Sequence, residues 1–142
     1  MKTNIFFLVH EMQGKISGVD FVRRKRKKSN KLSSLELRCM QQINEYFSCS
    51  RKKFSVPILF KGTIFQEKVW REIQKIPYGE IISYKELSQK IGAPKAYRAV
   101  ANACKKNPLP IIIPCHRVVA SNGLGGYFAG INKKEIINDR IF

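Results

Sequence analysis

Apolar residues open the chain in a strand-like pattern. The run Ile5-Phe6-Phe7-Leu8-Val9 and a looser alternation of Ile16, Val19 and Phe21 predict strands over 4–10 and 15–22, with a turn near Gly14. The pattern then changes period. Ser33-Ser34-Leu35-Glu36 forms a capping box, and Leu35, Cys39, Ile43 and Phe47 follow on one helical face, so a helix is predicted to end near Cys49. Phe54 to Phe60 is apolar but interrupted by Pro57, which suits an edge strand or a linker closing a first lobe over residues 1–60.

Residues 61–142 are more heavily punctuated. Thr63-Ile64-Phe65-Gln66 caps a second helix with Phe65, Val69, Ile73 and Ile76 as its buried stripe, and Pro77-Tyr78-Gly79 ends it. Ile81 and Ile82 make a short strand. Ser83-Tyr84-Lys85-Glu86 is a third capping box, opening a short helix with Leu87 and Ile91 buried and Gly92 as its C′ residue. Ala93-Pro94 starts the next helix. Two short helices around a glycine turn predict a helix-turn-helix. On its second helix Tyr97, Val100, Ala101 and Cys104 point inward. Lys95, Arg98, Asn102 and Lys105 point outward, with the small Ala96, Ala99 and Ala103 between them to allow close approach to a groove.

Charge sharpens this picture. Lys+Arg number 27 against 10 Asp+Glu, a net +17, and the excess is carried by both halves of the chain. Such a surplus points to a polyanion, with nucleic acid first. With 44% hydrophobic and 11% aromatic residues the chain is globular. The run Arg23-Arg24-Lys25-Arg26-Lys27-Lys28 cannot pack, and reads as a solvated connector or a phosphate-contacting arm. The apolar run at 5–9 is too short for a signal-peptide core or a membrane span. A reducing, cytoplasmic setting near the nucleoid (nuclear in a eukaryote) is therefore expected, with Cys39, Cys49, Cys104 and Cys115 as free thiols. No CxxC spacing occurs and only His10 and His116 could assist, so neither a zinc site nor another cofactor is expected.

The chemistry concentrates at Ile111-Ile112-Ile113-Pro114-Cys115-His116-Arg117-Val118-Val119. A free thiol has a pKa of about 8.5, and a neighbouring imidazole and guanidinium would lower it and make Cys115 a nucleophile. Adjacency alone favours a buried, inert cysteine, because neighbours in an extended segment face opposite ways; the flanking residues shift that reading.

The combination of Phe65-Gln66-x-x-Val69-Trp70, Ile76-Pro77-x-Gly79-Glu80, Ser83-Tyr84, Arg98-Ala99-Val100, Asn107-Pro108 and Pro114-Cys115-His116-Arg117-Val118, in this order and spacing, resembles the O6-alkylguanine-DNA alkyltransferases. The resemblance runs from about Gly62 to Lys134; residues 1–60 match only in general layout. It implies an α+β fold, with a small N-terminal sheet-plus-helix lobe packed on a mostly helical C-terminal lobe that carries a (winged) helix-turn-helix and an active-site cysteine loop. It also implies a single-turnover protein-cysteine methyltransferase acting as a monomer, without cofactor, on double-stranded DNA containing O6-alkylguanine, with O4-alkylthymine a further candidate lesion.

The family's roles fall on named positions. Cys115 would take the alkyl group, His116 would act through a water as its base, and Tyr84 would protonate N3 of the departing guanine. The base would be flipped from the duplex, with Arg98 filling its place and the alanine face in the minor groove. Ser83 and Arg117 join Lys95, Ala96, Ala99, Asn102 and Lys105 as implied DNA contacts. Asn107 would tie the turn after the recognition helix to the cysteine segment. Cys104, Val118, Tyr127 and Phe128 would line the guanine pocket, with the Tyr127-Phe128 loop kept tight by Gly123, Gly125 and Gly126. Ile141 stands where the family usually has a glutamate that orients the histidine, seven residues after Lys134. Asp139 is the candidate substitute, Glu135 a second, and the stop at Phe142 suggests a truncated or fused product. Two other readings stand beside this one: a lesion-binding sensor without transfer, and a helix-turn-helix regulator.

Overall fold

The computed structural model describes residues 6–22 and 31–120. The basic run 23–28 and all residues from 121 on, including Tyr127, Phe128, Lys134, Glu135, Asp139 and Ile141, lie outside the described residues. The chain divides into two compact units, Met1–Lys61 and Gly62–Phe142.

In the first unit β1 (Phe6–Met12) and β2 (Lys15–Val22) form an antiparallel hairpin. Its two turn residues, Gln13 and Gly14, both have positive φ (55° and 73°), the geometry whose twist matches the flanking strands. The register slips between His10 and Glu11, leaving Ser17 as an extra residue whose hydroxyl donates to the His10 carbonyl at 3.3 Å. That bulge explains the loose alternation of β2. It rotates Ile16 onto the face of Val19 and Val9, and all three are buried.

Helix α1 (Ser34–Phe47) starts at a complete capping box, with Ser33 and Glu36 bonding each other's backbone N–H. It buries Cys39, Ile43 and Tyr46. Tyr46, stacked on Phe54 at 5.4 Å, takes the inward place that the sequence assigns to Phe47, which is only half-buried. Segment 54–60 adds one parallel bridge to the hairpin, through Ile16 N–H to the Pro57 carbonyl and Leu59 N–H to the Ile16 carbonyl, both 2.8 Å. Gln42 is buried because its amide bonds Ser55 in both directions, at 2.8 and 3.0 Å.

The second unit holds α2 (Ile64–Ile73), β3 (Ile82–Ser83), α3 (Tyr84–Lys90), α4 (Tyr97–Lys105) and β4 (Val118–Val119). Thr63 and Gln66 complete the predicted box of α2. The predicted third box is half made: Ser83 accepts from Glu86 N–H at 3.0 Å. Trp70 is the largest buried side chain, and its indole N–H donates to the Ala103 carbonyl at 2.9 Å, fastening α2 to α4. Helix α3 ends as the sequence predicts. Gly92 has φ +77°, its N–H reaches the Gln89 carbonyl, and Ala93 N–H reaches the Ser88 carbonyl, a Schellman closure. Helix α4 begins at Tyr97, not at Ala93-Pro94, because residues 93–96 form a separate turn closed by Ala96 N–H to the Ala93 carbonyl. Ile81 is 53% exposed; the short strand takes Ile82 and Ser83 instead.

Two stability predictions follow from local geometry. A Cβ placed on Gly62 would sit 2.6 Å from Trp70 Cη2, and the indole is pinned by its bond to Ala103. Gly62→Ala is expected to destabilise the fold by about 1–3 kcal/mol, read as a lower urea midpoint. At the other extreme, Cys49 holds the C′ position of α1 with φ +64°, while Ser50 N–H and Cys49 N–H close a Schellman motif on Glu45 and Tyr46. A left-handed non-glycine residue costs about 1–2 kcal/mol, partly offset by glycine's greater unfolded-state entropy. Cys49→Gly is therefore expected to stabilise by about 0.5–1 kcal/mol, and a lower midpoint would contradict it.

Candidate active site

The segment that delivers Cys115 is built against its own backbone preference. Ile111 is β-branched yet has φ +74°, a conformation costing about 1–3 kcal/mol. It lets the chain reverse sharply, so that Ile113 N–H reaches the Leu109 carbonyl at 2.8 Å and Pro110 bridges Ile113. Pro114 then leads into a 3-10 turn over Cys115–Arg117, closed by Arg117 N–H on the Pro114 carbonyl at 2.9 Å. An extended chain would turn neighbouring side chains to opposite faces. The helical turn instead buries Cys115 (0% exposed), His116 (1%) and Arg117 (7%) together.

Asn107 fixes the position of the thiol. Its Nδ2 donates to Cys115 Sγ at 3.1 Å and to the Ile113 carbonyl at 2.8 Å, while its Oδ1 accepts from Leu109 N–H at 2.8 Å. A backbone N–H can only donate, so the atom facing Leu109 must be the oxygen, and both amide protons are left for the sulfur and the carbonyl. The amide proton aimed at the sulfur thus fixes where Cys115 Sγ sits.

Tyr84 arrives from the other side. Parallel pairing of Ile82 with Val118 and Ser83 with Val119 sets the first residue of α3 beside the cysteine turn. Burial, and then the charges that Cys104 and Cys115 would carry, push the Tyr84 hydroxyl well above its ordinary pKa. It therefore holds its proton throughout the neutral range. Cys115, Cys104, His116 and Val118 are thus buried in the second unit, with Asn107 and Tyr84 half-buried beside them.

Three expectations need correction. Arg117 is not a surface contact: its Nη1 donates to the Ile76 carbonyl at 2.6 Å and its guanidinium lies over the Tyr78 ring at 5.7 Å. It binds the exit of α2 to the cysteine turn, and no phosphate can reach it there. Ala103 is buried (1%) because its carbonyl serves Trp70, so it does not belong to the outward alanine face. Tyr97 is 47% exposed, because it is the first residue of α4 and stands clear of the core that Val100 fills. Of the other helix-turn-helix positions, Val100 and Cys104 are buried as expected, whereas Ala101, expected inward, is only half-buried. Lys95, Arg98, Ala99, Asn102 and Lys105 are exposed, while Ala96 and Ser83 are half-buried at the starts of α4 and α3.

An open groove of about 650 Å³ runs along this face, lined by Tyr84, Arg98, Tyr97, Lys95 and Ala101, and also by Lys85, Pro94 and Ala120. The sequence pattern put Tyr97 and Ala101 inward, and it did not single out Lys85, Pro94 or Ala120 as lining residues. Lys85 and Pro94 could have been found from their places at the two helix starts; Ala120 carries no periodic signal. Among the described residues no cluster of three metal-ligating side chains occurs, and no helix is long and apolar enough to cross a membrane.

Comparison with known proteins places this geometry. Residues 64–139 match the family model "6-O-methylguanine DNA methyltransferase, DNA binding domain". The constitutive methylated-DNA–protein-cysteine methyltransferase of Bacillus subtilis is 51% identical over 96 residues, which span 68% of this chain and 58% of that protein. A probable methylated-DNA–protein-cysteine methyltransferase of Acanthamoeba polyphaga mimivirus is 45% identical over 126 residues, 87% of this chain and 80% of that one. The crystal structure of Mycobacterium tuberculosis OGT in complex with DNA superposes with a TM-score of 0.80 at 34% identity, covering 92% of this chain and 83% of that one. By sequence match and by fold, the chain belongs to the 6-O-methylguanine DNA methyltransferase family.

Proposed function

We propose that this chain repairs DNA by moving an alkyl group from O6 of guanine to Cys115, once per molecule. The observation that carries the reading is the Asn107 amide on Cys115 Sγ, with Tyr84 brought beside the same turn by the pairing of β3 with β4. In the transfer the sulfur lone pair forms a bond to the alkyl carbon as the carbon–O6 bond breaks. The thiol proton passes to His116 through a water, and Tyr84 supplies a proton to N3 so that guanine leaves neutral. The thioether on Cys115 is stable, so the protein is consumed.

Double-stranded DNA is the proposed partner. The net +17, the exposed row of Lys95, Arg98, Asn102 and Lys105, and the small Ala96 and Ala99 support docking of α4 in a groove. That the M. tuberculosis relative was solved in complex with DNA supports it further. Arg98 would fill the gap left by an extruded base, a role supported by its exposure on the groove that Tyr84 also lines.

Incubation with a duplex carrying one O6-methylguanine is expected to leave the protein heavier by one methyl group, on Cys115, by intact mass and peptide mapping. Cys115→Ala should show no gain in mass with DNA affinity nearly intact; tight lesion-selective binding by the wild type with unchanged mass would mean a sensor. Tyr84→Phe should slow transfer by about 10²-fold or more. Because the tyrosine's pKa is raised, the wild-type to Phe rate ratio should stay level from about pH 7 to about pH 10; a ratio falling towards pH 10 would mean an ordinary phenol that has lost its proton.

A further inference from the structure

Tyr97 departs furthest from its sequence pattern. Helical spacing puts it in line with Val100 and Cys104, which are 0% and 2% exposed, yet Tyr97 is 47% exposed. Its ring and hydroxyl have no hydrogen bond, ring contact or ion partner among the described residues. A single exposed aromatic needs no explanation by itself. Its surroundings supply one.

Tyr97 lines the 650 Å³ groove together with three cations, Lys85, Lys95 and Arg98, and the described lining residues include no carboxylate. Pro94 and Ala101 beside it are short, and leave room next to the ring. A flat π-face set among cations, with no acidic side chain, is the composition that holds single-stranded nucleic acid: cations follow the phosphates and the ring stacks on a base. A fully paired duplex offers no free base face at that position. An acidic peptide would satisfy the cations but gives the ring nothing to stack on.

We infer that Tyr97 is a stacking platform for an unpaired nucleobase, next to Arg98 in sequence and in the groove. The inference rests on the reading of this face as a DNA surface. The pair would hold a strand open from two adjacent positions, Arg98 in the vacated place and Tyr97 against a neighbouring base. The substrate class this favours is DNA that is already locally unpaired, such as a bulge, a mismatch or a single strand, over a paired duplex of the same length.

The test uses unalkylated oligonucleotides of equal length at one fixed salt concentration: a paired duplex, a duplex with a one-base bulge, and a single strand. Affinity is read by anisotropy, and stacking by quenching of 2-aminopurine at the bulge. Tyr97→Ala is expected to weaken bulge and single-strand binding about tenfold and to abolish the quenching, with less than about a twofold loss on paired duplex; Tyr97→Phe should keep both signals. Equal losses on all three DNAs, no loss on any, or a loss that tracks a lower melting temperature would overturn the inference. Methyl transfer is scored separately by mass. Tyr97-dependent stacking in a chain that never gains a methyl group would support this inference while overturning the proposed chemistry.

Discussion

One side-chain amide holds the candidate site together. Asn107 spends its oxygen on Leu109 and its two protons on Ile113 and Cys115, and so spans the residues flanking the reversal at Ile111. The strain at Ile111, about 1–3 kcal/mol, is of the same size as two ordinary hydrogen bonds of about 0.5–1.5 kcal/mol each. The bonds alone would therefore barely hold the reversal. Burial decides it: Ile111, Ile112 and Ile113 are 1%, 6% and 0% exposed, and each buried side chain contributes about 1.5–3 kcal/mol. The apolar run is what allows a strained backbone to present the cysteine.

The remaining elements set the walls of that site. Trp70 on Ala103 fastens α2 to α4, and Arg117 on the Ile76 carbonyl fastens the exit of α2 to the cysteine turn. The two-residue pairing of β3 with β4 carries α3, and with it Tyr84, to the same place. Each joint is a single bond or a bond pair between elements far apart in sequence, so the site is assembled by long-range contacts on short helices.

That explains what was legible beforehand. Capping boxes at Ser33 and Thr63, and Gly92 as a C′ residue, are local signals, and the helix starts and stops they mark are where the sequence puts them. The helix-turn-helix and the outward cations follow from the same local rules. What periodicity could not reach were positions decided by a partner. Ala103 is buried because of an indole 33 residues away, and Arg117 because of a carbonyl 41 residues away. Tyr97 failed for the opposite reason, since helical spacing assumes a full turn of helix before it and the chain supplies a tight turn instead. The Ile111 conformation had no signal, because nothing in Ile-Ile-Ile announces a left-handed residue.

On the proposed reading, the complete burial of Cys115 bears on how a single-use reagent would survive until it is needed. Four thiols share this chain: Cys49 is exposed at a helix end, Cys39 is sealed in with burial pushing its pKa up to about 11, and Cys104 and Cys115 lie inside the second unit. A small soluble electrophile or oxidant meets surface thiols by collision, and Cys115 presents it no area. Reaction there would need a donor that gains a path to the sulfur, because Cys115 is not among the residues that line the groove. On that reading selectivity would reside in access, and a reactive sulfur would not be squandered on the ordinary electrophiles of its surroundings.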